Sequence, residues 1–184
     1  MGKKIEKQKF FMECTLRICS SLEIERALWN CFDFMKNYIP ADDICLQRYS
    51  VERGATHILA AADKNGGRLM DSFITHTPEV VELIKKGGFP QTIIANTADE
   101  HFVYANMLRQ MGRSRVSAMF LRLEVEGRWS GGVTLWANGW DRFTEEHLNL
   151  LLCLRRPFTI ALSNYNRYRA LVELKNILAD DKNY

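Results

Sequence analysis

The 184-residue chain has no apolar run near the roughly 20 residues that a membrane-spanning helix needs. Behind its basic start, Phe10-Phe11-Met12-Glu13-Cys14 is too short and too polar for a signal-peptide core. Both absences predict a cytoplasmic protein that does not engage a membrane. Cysteine is sparse and unpaired in pattern. Cys14, Cys19, Cys31, Cys45 and Cys153 form no Cys-x-x-Cys motif and are odd in number, which argues against a disulfide framework or a zinc site. None lies between residues 46 and 152. Cys31 falls on the apolar stripe Ile24, Leu28, Cys31, Met35, Tyr38, and the set is expected to be buried and inert, because a reactive thiol needs a basic, accessible neighbourhood. Excess charge is small, at +3, with Lys3, Lys4, Lys7 and Lys9 forming a solvated leader, so this segment is not expected to bind nucleic acid. No Gly-x-x-x-x-Gly-Lys-Ser/Thr loop occurs, which leaves nothing to cradle ATP phosphates. No repeat or low-complexity tract divides the chain.

What is present fits one soluble domain: hydrophobic residues make up 47% and charged residues 26%, enough apolar matter for a core. Helices frame the sequence and strands fill its middle. Three- and four-residue spacing of Phe11, Cys14, Ile18 and Leu22 predicts a helix over about 5–19. Ser20-Ser21-Leu22-Glu23 reads as a capping box that opens a second, to about Tyr38. Strands are expected at 44–49, 57–62, 92–95, 115–125 and 129–137, the last two joined at Glu126-Gly127. Residues 68–115 lose regularity, with short helices expected at Pro78–Lys86 and Ala98–Met111. The last forty residues read as one long helix that Pro157 bends without ending. Its end shows no Gly or Pro stop signal, which suggests that the chain continues in a longer protein.

The stretch Thr144-Glu145-Glu146-His147 poses a choice between a metal or acid/base site and a helix start. Consecutive helical residues point about 100° apart, a poor arrangement for ligation. Thr144 is a good N-cap, and Glu145 and Glu146 suit the positive end of the helix dipole, so the stretch is architectural. With His147 where a Glu would stand, the capping box is expected to be incomplete.

Residues 117–171, SAMFLRLEVEGRWSGGVTLWANGWDRFTEEHLNLLLCLRRPFTIALSNYNRYRAL, resemble the C-terminal half of a GAF domain. The carriers are the glycine hairpin, the Phe-Thr-Glu-Glu helix start and a last helix ending in Ala161-Leu162, Asn164 and Tyr168. With the N-terminal helices and Ser21-Leu22-Glu23-Ile24-Glu25, the resemblance spans about residues 8–170. The tail Tyr168–Leu174, then Leu178-Ala179-Asp180-Asp181, is similar to sigma-54-dependent transcriptional activators. There a GAF domain precedes AAA+ and helix-turn-helix domains, so the resemblance implies covalently attached output domains and a sensory role rather than an enzyme. It also implies an α/β (α+β) fold: a central antiparallel sheet of five or six strands, terminal helices on one face, and short helices and loops over the pocket face. On this reading residues 1–20 are a lead helix, 21–165 the GAF domain, and 166–184 a signalling and dimerisation helix. Cyclic-nucleotide-binding members use an Asn-Lys pair bridged to an Asp; here Asn138 and Phe143 match, but Gly139 and His147 stand at those two positions, so the bridge cannot form. Bilin-carrying members need a cysteine within 68–115, which this chain does not have.

The ligand pocket is therefore expected from the irregular segment and the inner strands: Phe73, His76, Phe89, His101, Phe102, Tyr104, Met107 and Met111, with Met119, Leu121 and Trp136. Aromatic and methionine side chains with histidines suit a small planar apolar molecule or haem, although no cofactor is required by the sequence. Arg109, Arg113 and Arg115 would suit a carboxylate or phosphate. The same side chains equally suit a core beneath long loops. Asp99, Glu100 and His101 could hold a metal only with help from elsewhere. A seam at Ile160, Leu171, Leu174 and Leu178 predicts a parallel homodimer. Two alternatives stand beside the sensor: a degenerate GAF scaffold that dimerises without a ligand, and a free methionine-sulfoxide reductase, which needs an activated pocket cysteine.

Overall fold

A computed structural model describes residues 5–97 and 99–180; Lys3, Lys4, Ala98 and residues 181–184 lie outside the described set. Two helices, Lys7–Ile18 (α1) and Ile24–Met35 (α2), precede strands Asp43–Ser50 (β1), Ala55–Asp63 (β2) and Gly66–Thr75 (β3). Helix Pro78–Lys85 (α3), strand Thr92–Ala95 (β4) and helix Phe102–Met111 (α4) follow. Strands Val116–Val125 (β5) and Arg128–Asn138 (β6) lead to helices Glu145–Leu152 (α5) and Arg155–Asp180 (α6). The six strands form one antiparallel sheet in the order β3-β2-β1-β6-β5-β4.

Two hydrophobic clusters sandwich that sheet. Phe10, Leu28, Phe32, Met119, Leu121, Phe158 and Leu162 belong to the cluster between the sheet and the terminal helices. Val80, Phe89, Tyr104, Met107, Ala118, Phe120 and Trp136 belong to the other, under α3 and α4. Close approach of backbone to backbone needs small residues on the helical face. A Cβ at Gly67 would overlap the Glu25 carbonyl of α2, and one at Gly131 would strike Gln47 and Leu162 of α6. The β5–β6 hairpin turns through Glu126 (φ 52°) and Gly127 (φ 73°), two left-handed residues that match the twist of the strands they join.

Several expectations change. Residues 66–75 form a ten-residue edge strand that runs into the segment 68–115 expected to be irregular. Its side chains are mostly solvated, so the alternation that marks a half-buried strand is missing. The capping box at Ser20–Glu23 does not form: α2 is capped at Glu23 without a side-chain bond, while Ser20 Oγ donates to Arg17 O (2.6 Å) and Ser21 Oγ accepts from the Glu23 N–H (3.1 Å). Conversely, the box at Thr144 is complete. The Thr144 N–H donates to His147 Nδ1 (3.1 Å) and the His147 N–H to Thr144 Oγ1 (3.4 Å), so a neutral imidazole does the work of the missing carboxylate. The long final helix is two helices that part at Cys153-Leu154. Pro157 stands in the first turn of α6, where a missing N–H costs nothing, instead of bending one continuous helix. Cysteine burial also differs from expectation: Cys14, Cys31 and Cys45 are buried, Cys153 is half-buried and Cys19 is exposed at the end of α1.

Candidate ligand-binding pocket

On the face away from the terminal helices, β1, β2, β3 and β6 turn Cys45, Ile58, Ala61, Met70, Ser72, Ile74 and Trp136 toward the end of α4. They enclose a cavity of about 520 Å³, within the range of small-molecule sites. The run Ala60-Ala61-Ala62 makes the room, since Ala61 projects only a methyl into it. Helix α4 is fastened over this space by its side chains. Gln110 Nε2 and Asn106 Nδ2 donate to Thr75 O (2.6 and 3.0 Å), and Gln110 Oε1 accepts from the Thr75 N–H (3.0 Å). The amide of Gln110 thus pairs with the end of the edge strand as another backbone would.

The mouth is charged and internally neutralised. Arg113 forms a two-point bond to Asp43 (2.7 and 3.5 Å) and lies over the Trp136 ring at 5.7 Å. Burial pushes the Asp43 carboxyl up from its ordinary value, and Arg113 opposes that push. Arg68 bonds Asp63 at 2.7 Å. In the floor, burial drives the Cys45 thiol up to about 12, and its Sγ donates to Gln47 Oε1 (3.4 Å), which also accepts from Thr134 Oγ1 (3.2 Å). The buried Trp136 N–H lies beside the Cys45 sulfur, would bond a thiolate there, and otherwise finds no acceptor. Tyr104 meets the Trp136 ring edge-on at 5.5 Å.

The α3 end of the same face is filled by its own aromatic rings. Trp129 stacks on Tyr49 (5.5 Å) and on Phe89 (4.9 Å), and Phe89 meets Phe120 edge-on (5.7 Å). The open volume therefore lies at the α4 end.

No family model and no curated protein sequence matches this chain. Solved structures do. The GAF domain of a phosphoenolpyruvate-protein phosphotransferase from Coxiella burnetii superposes with a TM-score of 0.67 at 14% identity, over 89% of this chain and 96% of that one. The fold is that of a GAF domain. Free methionine-R-sulfoxide reductase from Neisseria meningitidis, solved with its substrate, superposes at 0.64 and 12% identity over 91% and 97% of the two chains. A phycocyanobilin-bound GAF domain from a cyanobacterial phytochrome gives 0.63 and 14% over 90% and 98%.

Within this GAF fold the residues singled out from sequence disperse. Trp136, Arg113 and Met111 line the cavity. Phe73 reaches its rim, but its ring stacks on His57 at 4.2 Å, toward the terminal helices. Tyr104 and Met107 are buried in the core behind Trp136, and Phe89 belongs to the aromatic stack. His76 Nε2 lies 2.7 Å from Thr56 Oγ1, its Nδ1 is buried without a partner, and burial holds its pKa down. His101 ends the loop before α4, stacked on the exposed Phe102 at 5.2 Å, and burial lowers its pKa as well. Neither histidine lines the cavity, so a haem there would meet no imidazole. Met119 and Leu121 point the opposite way, into the terminal-helix core; Ala118 and Phe120 occupy the pocket side. A strand's side chains alternate, so a one-residue error in parity moves each to the wrong face. Of the other arginines, Arg109 Nε donates to Ala105 O (3.3 Å) and Arg115 lies over the Trp140 ring (5.0 Å).

Among the described residues no three His, Cys, Asp or Glu side chains converge as metal ligands, and Glu100 accepts the Asn96 N–H (2.5 Å) instead. No described helix is long and apolar enough to cross a membrane. Sequence reasoning missed Asp43, Ile58, Ala61 and, apart from Phe73 at the rim, the contribution of β3. The Asn65-Gly66 turn was the available signal, since such a dipeptide announces a strand on both sides.

Proposed function

We propose that this chain is a sensory GAF module that takes a small, largely apolar molecule into the cavity between Ala61, Met70, Ile74 and Trp136. The observation that carries this reading is the volume itself: about 520 Å³ under α4, with an apolar floor and a neutralised ion pair at the mouth. A molecule seated there would contact Ser72 and Gln110 beside an apolar surface, so one or two polar atoms on an apolar body is the chemistry that fits. Cys45 is the one cysteine in the lining, and with its pKa near 12 it stays a thiol at neutral pH. That favours sensing over thiolate catalysis of the methionine-sulfoxide reductase kind. Nuclear magnetic resonance with a fragment library tests the reading. Amide shifts are expected at Ala61, Ser72 and Trp136, and Ala61→Leu should abolish them in a folded chain. Shifts that map elsewhere, or that survive in Ala61→Leu, would sink it.

The same reading places the module in a transcriptional regulator of the sigma-54-dependent kind, with AAA+ and helix-turn-helix domains attached and a homodimer carrying the signal. The regulator context rests on the resemblance of the tail Tyr168–Leu174, and the homodimer on the exposed row Ile160, Leu171, Leu174 and Leu178 of α6 at coiled-coil spacing. Analytical ultracentrifugation should find a dimer at micromolar concentration and a folded monomer for Leu171→Asp with Leu174→Asp. A monomeric parent, or a dimeric double variant, would remove the dimer from the account.

A further inference from the structure

On the other side of the sheet, α6 passes over the outer strands and leaves a groove of about 460 Å³ that shares only Met70 with the cavity under α4. Arg48 and His57 wall it from the strands, and Tyr165, Asn166 and Arg169 from the helix. These helical residues lie about opposite the Leu171–Leu174 row at 100° per residue, so a partner on that row would not cover them. We propose that this groove binds a small carboxylate or phosphate compound and thereby pins α6 to the sheet.

The state of the arginines decides between the two hollows. In the cavity under α4, Arg113 and Arg68 are already paired with Asp43 and Asp63. In the groove, Arg48 spends only its Nε, on His57 Nδ1 (3.3 Å), and among the described residues neither its terminal nitrogens nor Arg169 has a carboxylate partner. By accepting that bond, Nδ1 fixes His57 as the neutral Nε2–H tautomer, which donates to Asp71 (2.7 Å). Asp71 is thus committed to His57 and turns 88% of its side chain to water, and the exposed Glu173 lies one turn beyond Arg169. Two guanidinium groups on facing walls, with planar donor pairs free, match the geometry of an oxyanion.

The test uses the full chain, with inorganic phosphate and succinate as probes and chloride to hold ionic strength constant. Amide shifts of Arg48, His57 and Arg169 are followed by nuclear magnetic resonance. Saturable binding by at least one probe is expected, and the responding probe tells phosphate from carboxylate recognition. Arg48→Gln with Arg169→Gln should weaken it at least fivefold, and Arg169→Gln alone, on an exposed helix surface, should weaken it measurably. Arg156→Gln, an exposed control with the same charge change, should not. No saturable response to either probe, a loss under fivefold in the double variant, or an equal loss in Arg156→Gln would overturn the proposal.

Discussion

Replacing His147 by Gln should flatten the acid sensitivity of folding. His147 serves the α5 N-terminus only while Nδ1 keeps its lone pair for the Thr144 N–H. Burial holds its pKa below the ordinary histidine value of 6.5, and Glu146 opposes this only in part. A histidine whose folded pKa is lowered favours the fold when neutral. Its stabilisation is fully present above about 6.5 and is lost as pH falls through the lowered folded value. The loss is bounded by what the bond contributes, about 1 kcal/mol for a capping interaction. For a domain of this size that corresponds to about 2–4 °C in Tm. Glutamine at the same position can accept the Thr144 N–H through its amide oxygen and does not titrate. Thermal melts by circular dichroism at pH 7.5 and pH 5.0, on parent and variant, read the difference. Burial lowers the pKa of His76 and His101 in the same direction, but both occur in each protein and cancel in the comparison. The parent should lose about 2–4 °C more than the variant between the two pH values. Equal losses would mean that the bond from Thr144 to His147 adds nothing, and the reasoning about the cap would fail.

Gly67→Ala should lower the urea midpoint by the equivalent of about 1–3 kcal/mol, because the added methyl must push α2 off the sheet edge at Glu25. An unchanged midpoint would mean that α2 does not press there. Thiol labelling of the native chain should modify Cys19 within minutes and Cys153, whose pKa burial pushes to about 11, much more slowly. Cys14, Cys31 and Cys45 should resist until unfolding, and quick labelling of Cys45 would contradict the closed cavity floor.

The elements that could be read from sequence are those whose local chemistry is unambiguous. Thr92–Ala95 coincides with β4, and the strands flanking Glu126-Gly127 are placed within a residue of β5 and β6. A turn with two left-handed residues fixes both neighbours at once. Edge strand β3 carried no such pattern between Arg68 and Ser72, because water meets most of its side chains on both faces. The candidate site suffered most from that omission, since Arg68, Met70, Ser72 and Ile74 all come from β3. A second loss has a different origin. Val116 to Leu121 is buried on both faces, so hydrophobicity alone cannot say which of Met119 and Phe120 looks toward the pocket. Only the pairing of Ala118 with Trp136 settles it, and pairing is a property of the folded sheet.

The parting of α5 from α6 at Cys153-Leu154 makes the last helix a lever. Its 26 residues span about 39 Å at the usual rise, anchored near one end by Phe158 and Leu162. A tilt of only about 5° at Arg155 would swing the far end by about 3 Å over that length. Because the break uncouples α6 from α5, that swing need not disturb the Thr144 cap. A sub-ångström adjustment beneath Leu162 would be read out as a displacement of several ångströms at Asp180.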